Sequence, residues 1–259
     1  MKSSVRGHLT RRADLLLGVA GLGLLFALWC GLTYGGFVRK IFLPTPTGIW
    51  EGLVEYDQRG WLWPSIGRSF LRVSKALGLV ILVGVPVGVL MGTFQPLNAL
   101  LQRIVSGAKS VPTTAITGVV VLWFGLGEQG KIVFLFLGAI FFMIILVRDA
   151  VARVPEAYVR VALDLGASRW QLIRRVLLPW ALPRIWEAII VCNGIMWTYI
   201  VLAEFISSSE NELGLGYLLQ LGSRTQDPGK VFGMLIVIAA ISTLTDYGLQ
   251  MFRRHYLDW

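Results

Sequence analysis

The sequence predicts an all-α membrane protein with about six transmembrane helices. Of its 259 residues, 55% are hydrophobic and only 15% are charged, whereas soluble domains carry about 25% charged residues. The apolar residues form blocks of the roughly 20 residues that a helix needs to cross a bilayer core about 30 Å thick. The formal charge of +9 lies in short clusters between these blocks. This distribution is typical of membrane proteins with basic cytoplasmic loops and argues against a nucleic-acid-binding surface.

Six apolar segments reach the required length, at roughly 14–35, 70–93, 111–126, 131–148, 184–206 and 231–251. The third segment is short, and Pro112 predicts a helix start or a break there. Lys and Arg are more frequent in the connections that lie inside the cell when the N-terminus is cytoplasmic, so we expect both termini in the cytoplasm. We divide the chain into 1–65, a transmembrane helix with an external amphipathic segment, and 66–259, a five-helix core.

Basic residues also occur at the outer start of the second segment. Arg68, Arg72 and Lys75 follow one another at spacings of four and three, which places them on one face of that helix. Two interpretations stay open. The side chains extend to the membrane interface, or they form a positive lining that attracts anionic substrates.

Polar residues within the fifth segment are candidates for a translocation pathway or a gate. Asn193, Trp197 and Thr198 could line such a pathway, although hydrogen bonding between helices is an equal alternative for Asn193 and Thr198. Glu204, at the outer end of the segment, is a candidate for a structural or gating role. For two further acidic residues, Glu187 and Asp246, we expect pairing with nearby arginines.

One long connection, 148–184, is too basic to lie in lipid because it contains seven arginines. It reads as two short helices. The first covers about 155–165 and ends at Gly166, a residue suited to the left-handed conformation that follows many helices. Ser168 and Gln171 have the spacing of a capping box for the second helix. Pro179 and Pro183 are expected to separate this helix from the fifth membrane segment.

The same connection resembles the cytoplasmic loop of ABC-importer permeases. That family has the pattern EAA, three residues, Gly, nine residues, then I-x-L-P. The matching positions here are 160–162, Gly166 and 176–179, with Arg160 and Val161 in place of the pattern's Glu and first Ala. The departure puts in doubt any ion pair made by the family's Glu.

Further motifs are similar to the branch of permeases for nitrate, taurine, aliphatic sulfonates and bicarbonate. They are Leu-Pro-Thr-Pro at 43–46 with Trp50, the stretch 122–128 with Lys131, Ala-Glu at 203–204 with 214–217, and 253–254 with Trp259. These motifs extend over most of the chain.

The resemblance implies the pathway-forming subunit of an ATP-driven importer in a bacterial inner membrane, with a small anion such as nitrate, a sulfonate, taurine or bicarbonate as its cargo. The implied partners are two ATPase subunits that bind ATP and Mg, a second permease copy in a homodimer, an external substrate-binding protein and the lipid bilayer. No cofactor is expected in this chain. The implied contact with the ATPase, the coupling helix, comprises Ala162, Leu163, Asp164, Leu165, Gly166, Ala167, Ser168, Arg169, Trp170 and Pro179.

Other classes of protein are less consistent with the sequence. A secondary ion-coupled transporter is the main alternative, but such proteins usually contain inverted repeats with broken helices, and no such repeat is evident. No catalytic motif or metal-ligand cluster occurs, so no enzyme and no metal site are predicted. The stretch 125–131 imitates a phosphate-binding loop, yet Ile132 stands where that loop needs Ser or Thr. We interpret it as a tight turn between two helices.

Overall fold

The computed structural model of the chain describes residues 10–205 and 213–257, which form helices and contain no β-strand. The helices are α1 (Arg11–Tyr34), α2 (Pro46–Gln58), α3 (Leu62–Thr93), α4 (Gln95–Lys109), α5 (Thr117–Phe124), α6 (Glu128–Ala152), α7 (Glu156–Asp164), α8 (Arg169–Leu172), a π-helical segment (Ile173–Leu177), α9 (Leu178–Phe205), α10 (Leu215–Arg224) and α11 (Pro228–Tyr256). The predicted all-α class is confirmed.

Five helical stretches are long and apolar enough to cross a membrane: Arg12–Tyr34, Leu62–Thr93, Glu128–Ala152, Arg169–Phe205 and Pro228–Tyr256. The fourth stretch combines α8, the π-helical segment and α9. The segment predicted at 111–126 is not among these five. It contains only the eight-residue α5, which is about 12 Å long. Pro112 lacks an N–H and disfavours helical backbone at Val111, so the chain turns there before α5 begins.

The centre of the bundle is the parallel pair of α3 and α6. A Cβ added to Gly84, Gly88 or Gly92 of α3 would lie 2.7 Å from Met143, Val147 or Val151 of α6, respectively. Each step of four residues along α3 is therefore matched by a step of four along α6 in the same direction. In the sequence, glycines one turn apart in a membrane helix predict close packing by another helix, and the structure confirms this prediction. Because the two helices are parallel, α4 and α5 must return the chain along the bundle between them.

Helix α9 runs antiparallel to α6 and α11. Phe134 and Tyr199 pack with ring centroids 6.4 Å apart, and Trp186 donates a 2.8 Å hydrogen bond to the carbonyl of Leu249. Thus α3, α6 and α11 end on the side of the bundle where α9 begins. We call that side the loop end, because α7 and α8 lie there, and the opposite side, where α6 begins and α9 ends, the cluster end.

The start of α9 differs from the prediction. Pro179 and Pro183 do not separate it from the preceding helix, since one helical run extends from Arg169 to Phe205. The π-helical segment just before α9 lets the N–H of Leu178 bond to the carbonyl of Ile173, five residues back. This change of register places Pro179 at the second position of α9, where a missing N–H is tolerated. Pro183 lies inside α9 beside buried Ala181 and Ile185, and packed neighbours make an interior proline tolerable in a membrane helix.

The first two helices lie at the margin of the bundle. The most apolar window of α1 contains no buried residue, and its C-terminal part is held by a 3.0 Å hydrogen bond from Trp29 to the carbonyl of Pro44. In contrast, α2 packs closely on α11, because a Cβ on Gly52 would lie 2.9 Å from the backbone nitrogen of Lys230. Helix α2, which falls within 1–65, therefore contacts the five-helix part of the chain.

Candidate functional sites at the two ends of the bundle

A buried ion-pair cluster occupies the cluster end. Arg72 and Glu204 are only 2% and 1% exposed, and Nη1 of Arg72 lies 2.7 Å from Oε1 of Glu204. The other side of the guanidinium faces Glu128 at the start of α6, with Nε donating to Oε2 at 2.8 Å and Nη2 donating to Oε1. Glu128 also lies 3.5 Å from the buried Lys131. Two cations and two carboxylates thus balance each other's charge.

Glu204 is satisfied by three donors from different parts of the chain. Besides Arg72, Ser69 donates to Oε1 at 2.6 Å and the backbone N–H of Gly216 donates to Oε2 at 2.7 Å. Ser69 also accepts a 3.0 Å bond from the N–H of Leu215. Because these bonds join α3, α9 and the start of α10, the carboxylate fixes the segment 213–216 on the bundle. A buried charge needs such complete pairing to be tolerated.

The two glycines near α10 leave room for this cluster. A Cβ on Gly214 would lie 2.5 Å from both Nη1 of Arg72 and Cδ of Glu204, and one on Gly216 would lie 2.9 Å from Cβ of Glu204. Their backbone angles do not require glycine, since φ of Gly214 is −170°. Gly214 and Gly216 are therefore glycines because no side chain fits between them and Glu204. This explains why the motif at 214–217 accompanies Ala-Glu at 203–204.

The basic residues of α3 do not share one environment. Arg72 turns inward and its charge is neutralised, while Arg68 and Lys75 are exposed. Arg72 therefore neither extends to the membrane interface nor offers an open positive charge to an anionic substrate. Sequence reasoning missed Ser69 and Glu128 as its partners. Ser69 lies one turn from Arg72 and could have been suspected, but Glu128 is 56 residues away, and nothing in the local pattern indicates that contact.

The polar residues of α9 also point in different directions. The side-chain amide of Asn193 donates to Thr245 at 3.0 Å and to Asp246 at 2.7 Å, so the alternative of helix–helix hydrogen bonding describes Asn193. Trp197 is buried, and its indole N–H has no hydrogen-bond partner among the described residues. Thr198 alone of the three is exposed, and it donates to the carbonyl of Gly194. A pathway or gating role for these residues stays a prediction.

The two remaining intramembrane acids behave differently. Glu187 pairs with Arg253 at 2.7 Å, as expected. Asp246 accepts its bond from Asn193, not from an arginine. The expectation for Asp246 is therefore wrong, because α9 brings an amide to that level of α11.

At the loop end, the turn between α7 and α8 has the geometry that the sequence predicts. Gly166 adopts a left-handed φ of +79°. Its N–H bonds to the carbonyl of Leu163, and the N–H of Ala167 bonds to that of Ala162, the pattern of a Schellman motif. The capping box of Ser168 and Gln171 is formed in both directions. The spacing of Ala162 and Gly166 thus follows from the way this helix ends.

The surface of this loop is apolar and uncovered. No residue of α7 is buried. Large side chains remain exposed on both sides of the turn, with Leu165 at 83% and Trp170 at 67%. Of the predicted contact residues, only Ala162 and Ala167 are half-buried and the others from Leu163 to Trp170 are exposed. Large exposed apolar side chains of this kind are typical of a surface that contacts a protein or a membrane.

The turn between α5 and α6 is a tight connection, as expected. Gly125 adopts a φ of +73°, and Lys131, the lysine of the apparent phosphate-binding motif, is buried beside Glu128. Among the described residues no group of His, Cys, Asp or Glu could hold a metal ion.

Comparisons with known proteins agree with these features. The sequence profile of the family "Binding-protein-dependent transport system inner membrane component" matches residues 84–257. The taurine transport system permease protein TauC of Escherichia coli (strain K12) is 30% identical over 98% of this chain and 92% of its own length. The putative aliphatic sulfonates transport permease protein SsuC of Bacillus subtilis (strain 168) is 30% identical over 96% of this chain and 89% of its own.

Among solved structures, the MetNI methionine ABC transporter in an inward-facing conformation superposes with a TM-score of 0.68 at 21% identity, covering 77% of this chain and 97% of that one. This likeness establishes the fold. The protein is a multi-pass membrane permease component of an ABC importer and not an enzyme. The chain belongs to the family of binding-protein-dependent transport system inner membrane components.

Proposed function

We propose that the chain forms the translocation pathway of an ATP-driven importer for a small anion of the sulfonate class, which includes taurine. Relatives that cover most of this chain are named for taurine and aliphatic sulfonates. Nitrate and bicarbonate belong to the same broad class of small anions, but none of these relatives is named for them. ATP and Mg would be bound by a separate ATPase subunit.

The observation that carries this proposal is the uncovered apolar surface at the loop end. Leu165 and Trp170 flank the turn at Gly166, yet both side chains stay largely exposed in the described part of the chain. Apolar side chains that are fixed by the local fold but left exposed favour a binding surface for another protein. Trp in particular is enriched at the centre of protein interfaces. Closure of two ATPase subunits would then push on α7 and α8 and change the access of the pathway.

The arrangement of the helices supports an orientation with both termini in the cytoplasm. The ends of α3, α6 and α11 lie on one side together with the seven arginines of 148–184, which the positive-inside rule assigns to the cytoplasm. In this orientation α4 and α5 together form a broken crossing, so that the chain crosses the membrane six times. A second copy would complete the pathway, and a substrate-binding protein would dock at the cluster end.

Replacement of the exposed loop side chains tests the contact with the ATPase. Trp170→Ala combined with Leu165→Ala should abolish most of the ATPase stimulation by the loaded binding protein, while the amount of folded permease stays unchanged. Trp50→Ala is a matched control, because Trp50 is 69% exposed but lies on α2, outside the loop. Normal stimulation in the double variant would contradict the placement of the contact.

Energy coupling separates this proposal from a secondary ion-coupled transporter. Uptake of taurine into proteoliposomes that contain the permease, the ATPase and the binding protein should require internal ATP and should stop when the ATPase is omitted. Uptake driven by an ion gradient without ATP would overturn the proposal in favour of the alternative. Uptake of nitrate or bicarbonate in place of taurine would retain the importer and change its substrate.

A further inference from the structure

An open groove lies between α6 and α9 at the loop end, separate from both sites described above. Its cavity of about 440 Å³ is lined by Arg153, which directly follows α6, and by Arg184, Glu187 and Val191 of α9, among others. A second cavity of about 320 Å³ lies on the other side of Glu187 and Val191, towards Arg253 of α11. Neither α6 nor α11 therefore covers this side of α9.

The uncovered side of α9 carries three polar side chains. Arg184, Glu187, Val191 and Thr198 are exposed, and their spacings of three, four and seven place them on one helix face. Ionisable side chains facing lipid within a membrane helix are costly, so such a face normally lies against water or protein. The buried side of α9 carries Asn193 and Trp197 instead. The open face is thus the one that an aqueous pathway could reach.

The charges around the groove do not cancel. Arg148 pairs with Asp149 at 2.6 Å and Arg253 pairs with Glu187 at 2.7 Å, which satisfies both carboxylates near the groove. Neither Arg153 nor Arg184 forms an ion pair with a carboxylate in the described part of the chain. Arg184 instead lies over the ring of Trp180, 5.2 Å from its centroid. Two guanidinium groups therefore face the cavity with unused donors.

We propose that this groove is an anion-binding station on the wall of the translocation pathway, with Arg153 and Arg184 as its ligands. The proposal rests on the proposed function and adds a site within this chain for the transported anion. A guanidinium offers paired N–H donors that match the oxygens of a sulfonate or a carboxylate. The cavity has room for a small organic anion together with several waters, each of about 30 Å³.

The station lies at the basic end of the bundle, so it would receive the anion late in import. The positive charge of two arginines attracts an anion. The acyl chain and headgroup of an anionic lipid could also fit a groove with two basic residues. Thr198, which is exposed on the same face of α9 above the groove, favours the aqueous alternative.

Thiol reactivity tests whether the groove is aqueous. The full chain carrying Cys30→Ser and Val191→Cys, in lipid nanodiscs, would be treated with membrane-impermeant methanethiosulfonates, one bearing a sulfonate and one bearing a quaternary ammonium. The thiol introduced by Val191→Cys should react with both, whereas the native Cys192, which is 0% exposed on the next position of the same helix, should not. A Val191→Cys variant that reacts with neither reagent, but does react with a lipid-soluble maleimide, would overturn the pathway assignment.

The ratio of the two reaction rates tests anion recognition. Arg153→Gln or Arg184→Gln in the Val191→Cys chain should each lower the ratio of the sulfonate rate to the ammonium rate about fivefold, from the loss of one positive charge at several ångströms in a water-like dielectric. Arg174→Gln is the matched control, because Arg174 is exposed outside the groove, and it should leave the ratio unchanged. An unchanged ratio in both groove variants would overturn the anion site.

These outcomes are distinguishable from failure of the proposed function. The reactions use the permease alone and need neither ATP nor the natural substrate. A chain that passes both reactivity tests but shows no ATP-dependent uptake would retain the groove as an anion site and reject the importer mechanism. A chain that imports taurine but fails both tests would retain the mechanism and reject the groove.

Discussion

The two ends of the bundle differ in how their functional side chains are placed. Charged side chains are buried and paired at the cluster end, whereas apolar and basic side chains are exposed at the loop end. At the cluster end, Arg72 and Glu204 are almost fully buried and find their partners within the chain. At the loop end, Leu165 and Trp170 are about two-thirds exposed or more, and Arg153 and Arg184 pair with no described carboxylate. The buried charges of the cluster end are therefore satisfied within the described residues, whereas the loop end leaves apolar side chains exposed and basic side chains without carboxylate partners there. Changes at the cluster end should affect folding first, and changes at the loop end should affect function first.

The largest expected effect is loss of the cluster cation. Arg72→Ala would leave Glu204 buried without its positive partner, and removal of one member of a buried pair costs about 3–5 kcal/mol. The midpoint of thermal unfolding of the detergent-solubilised chain should fall by about 10 °C. Arg68→Ala, one turn away on the exposed side of α3, is the control. Equal midpoints for the two variants would mean that the cluster does not stabilise the fold.

Glycines at the two ends provide a matched comparison. Gly214→Ala would place a Cβ 2.5 Å from Arg72 and Glu204 and should lower stability by about 2 kcal/mol through overpacking. Gly166→Ala meets no atom within 4 Å, and its strain of about 1 kcal/mol from the left-handed backbone is confined to the exposed loop.

We therefore expect thermal unfolding to shift mainly in Gly214→Ala and the stimulated ATPase rate to fall mainly in Gly166→Ala. Gly166→Pro should have a stronger effect on that rate, because proline cannot adopt a positive φ. The reverse order of effects would contradict the distinction between the two ends.

A smaller effect is expected from the cap of the second loop helix. Ser168→Ala removes the side-chain oxygen that accepts from the N–H of Gln171 and should destabilise the start of that helix by about 1 kcal/mol. Hydrogen exchange at 169–172 should become faster, while exchange in α3 and α6 stays unchanged. Ser168→Thr retains the acceptor and is the conservative control. Faster exchange throughout the bundle would show that the loop is not a separate unit of stability.

The smallest effect concerns the attachment of α2 near the cluster end. The hydrogen bond from Lys230 at 2.7 Å lowers the pKa of Glu55 below its usual 4.5. A carboxylate whose pKa is lower in the folded chain than in the unfolded chain stabilises the fold when the pH is above the unfolded pKa. This stabilisation is lost as the pH falls through the folded pKa. Thermal stability should therefore decline slightly more in the wild type than in Glu55→Gln as the pH is lowered from about 5 to about 3. An equal decline in the wild type and in Glu55→Gln would indicate that the pair of Glu55 and Lys230 does not stabilise the fold.

Local patterns in the sequence determined the class of the protein and the form of its loop. Long apolar blocks predict membrane helices because only such helices satisfy their backbone within lipid. The turn at Gly166 and the capping box at Ser168 involve bonds between residues three to five positions apart, so their spacing is visible in a single sequence. The stripe of Gly84, Gly88 and Gly92 similarly predicted a close helix contact, although not its partner.

The tertiary structure decided which residues meet over long distances and which faces stay open. Arg72 and Glu204 are 132 residues apart, and only the packing of α3 against α9 brings their charges together. The packing of α9 against α11 places Asn193 inside, beside Thr245 and Asp246, and leaves Val191 exposed. Periodicity alone could not predict this orientation, because α9 is apolar on most sides. The helix also continues through Pro179 and Pro183, because a shifted hydrogen-bond register and packed neighbours compensate for the missing N–H groups. Local bonds fixed the loop, and long-range packing fixed the cluster and the groove.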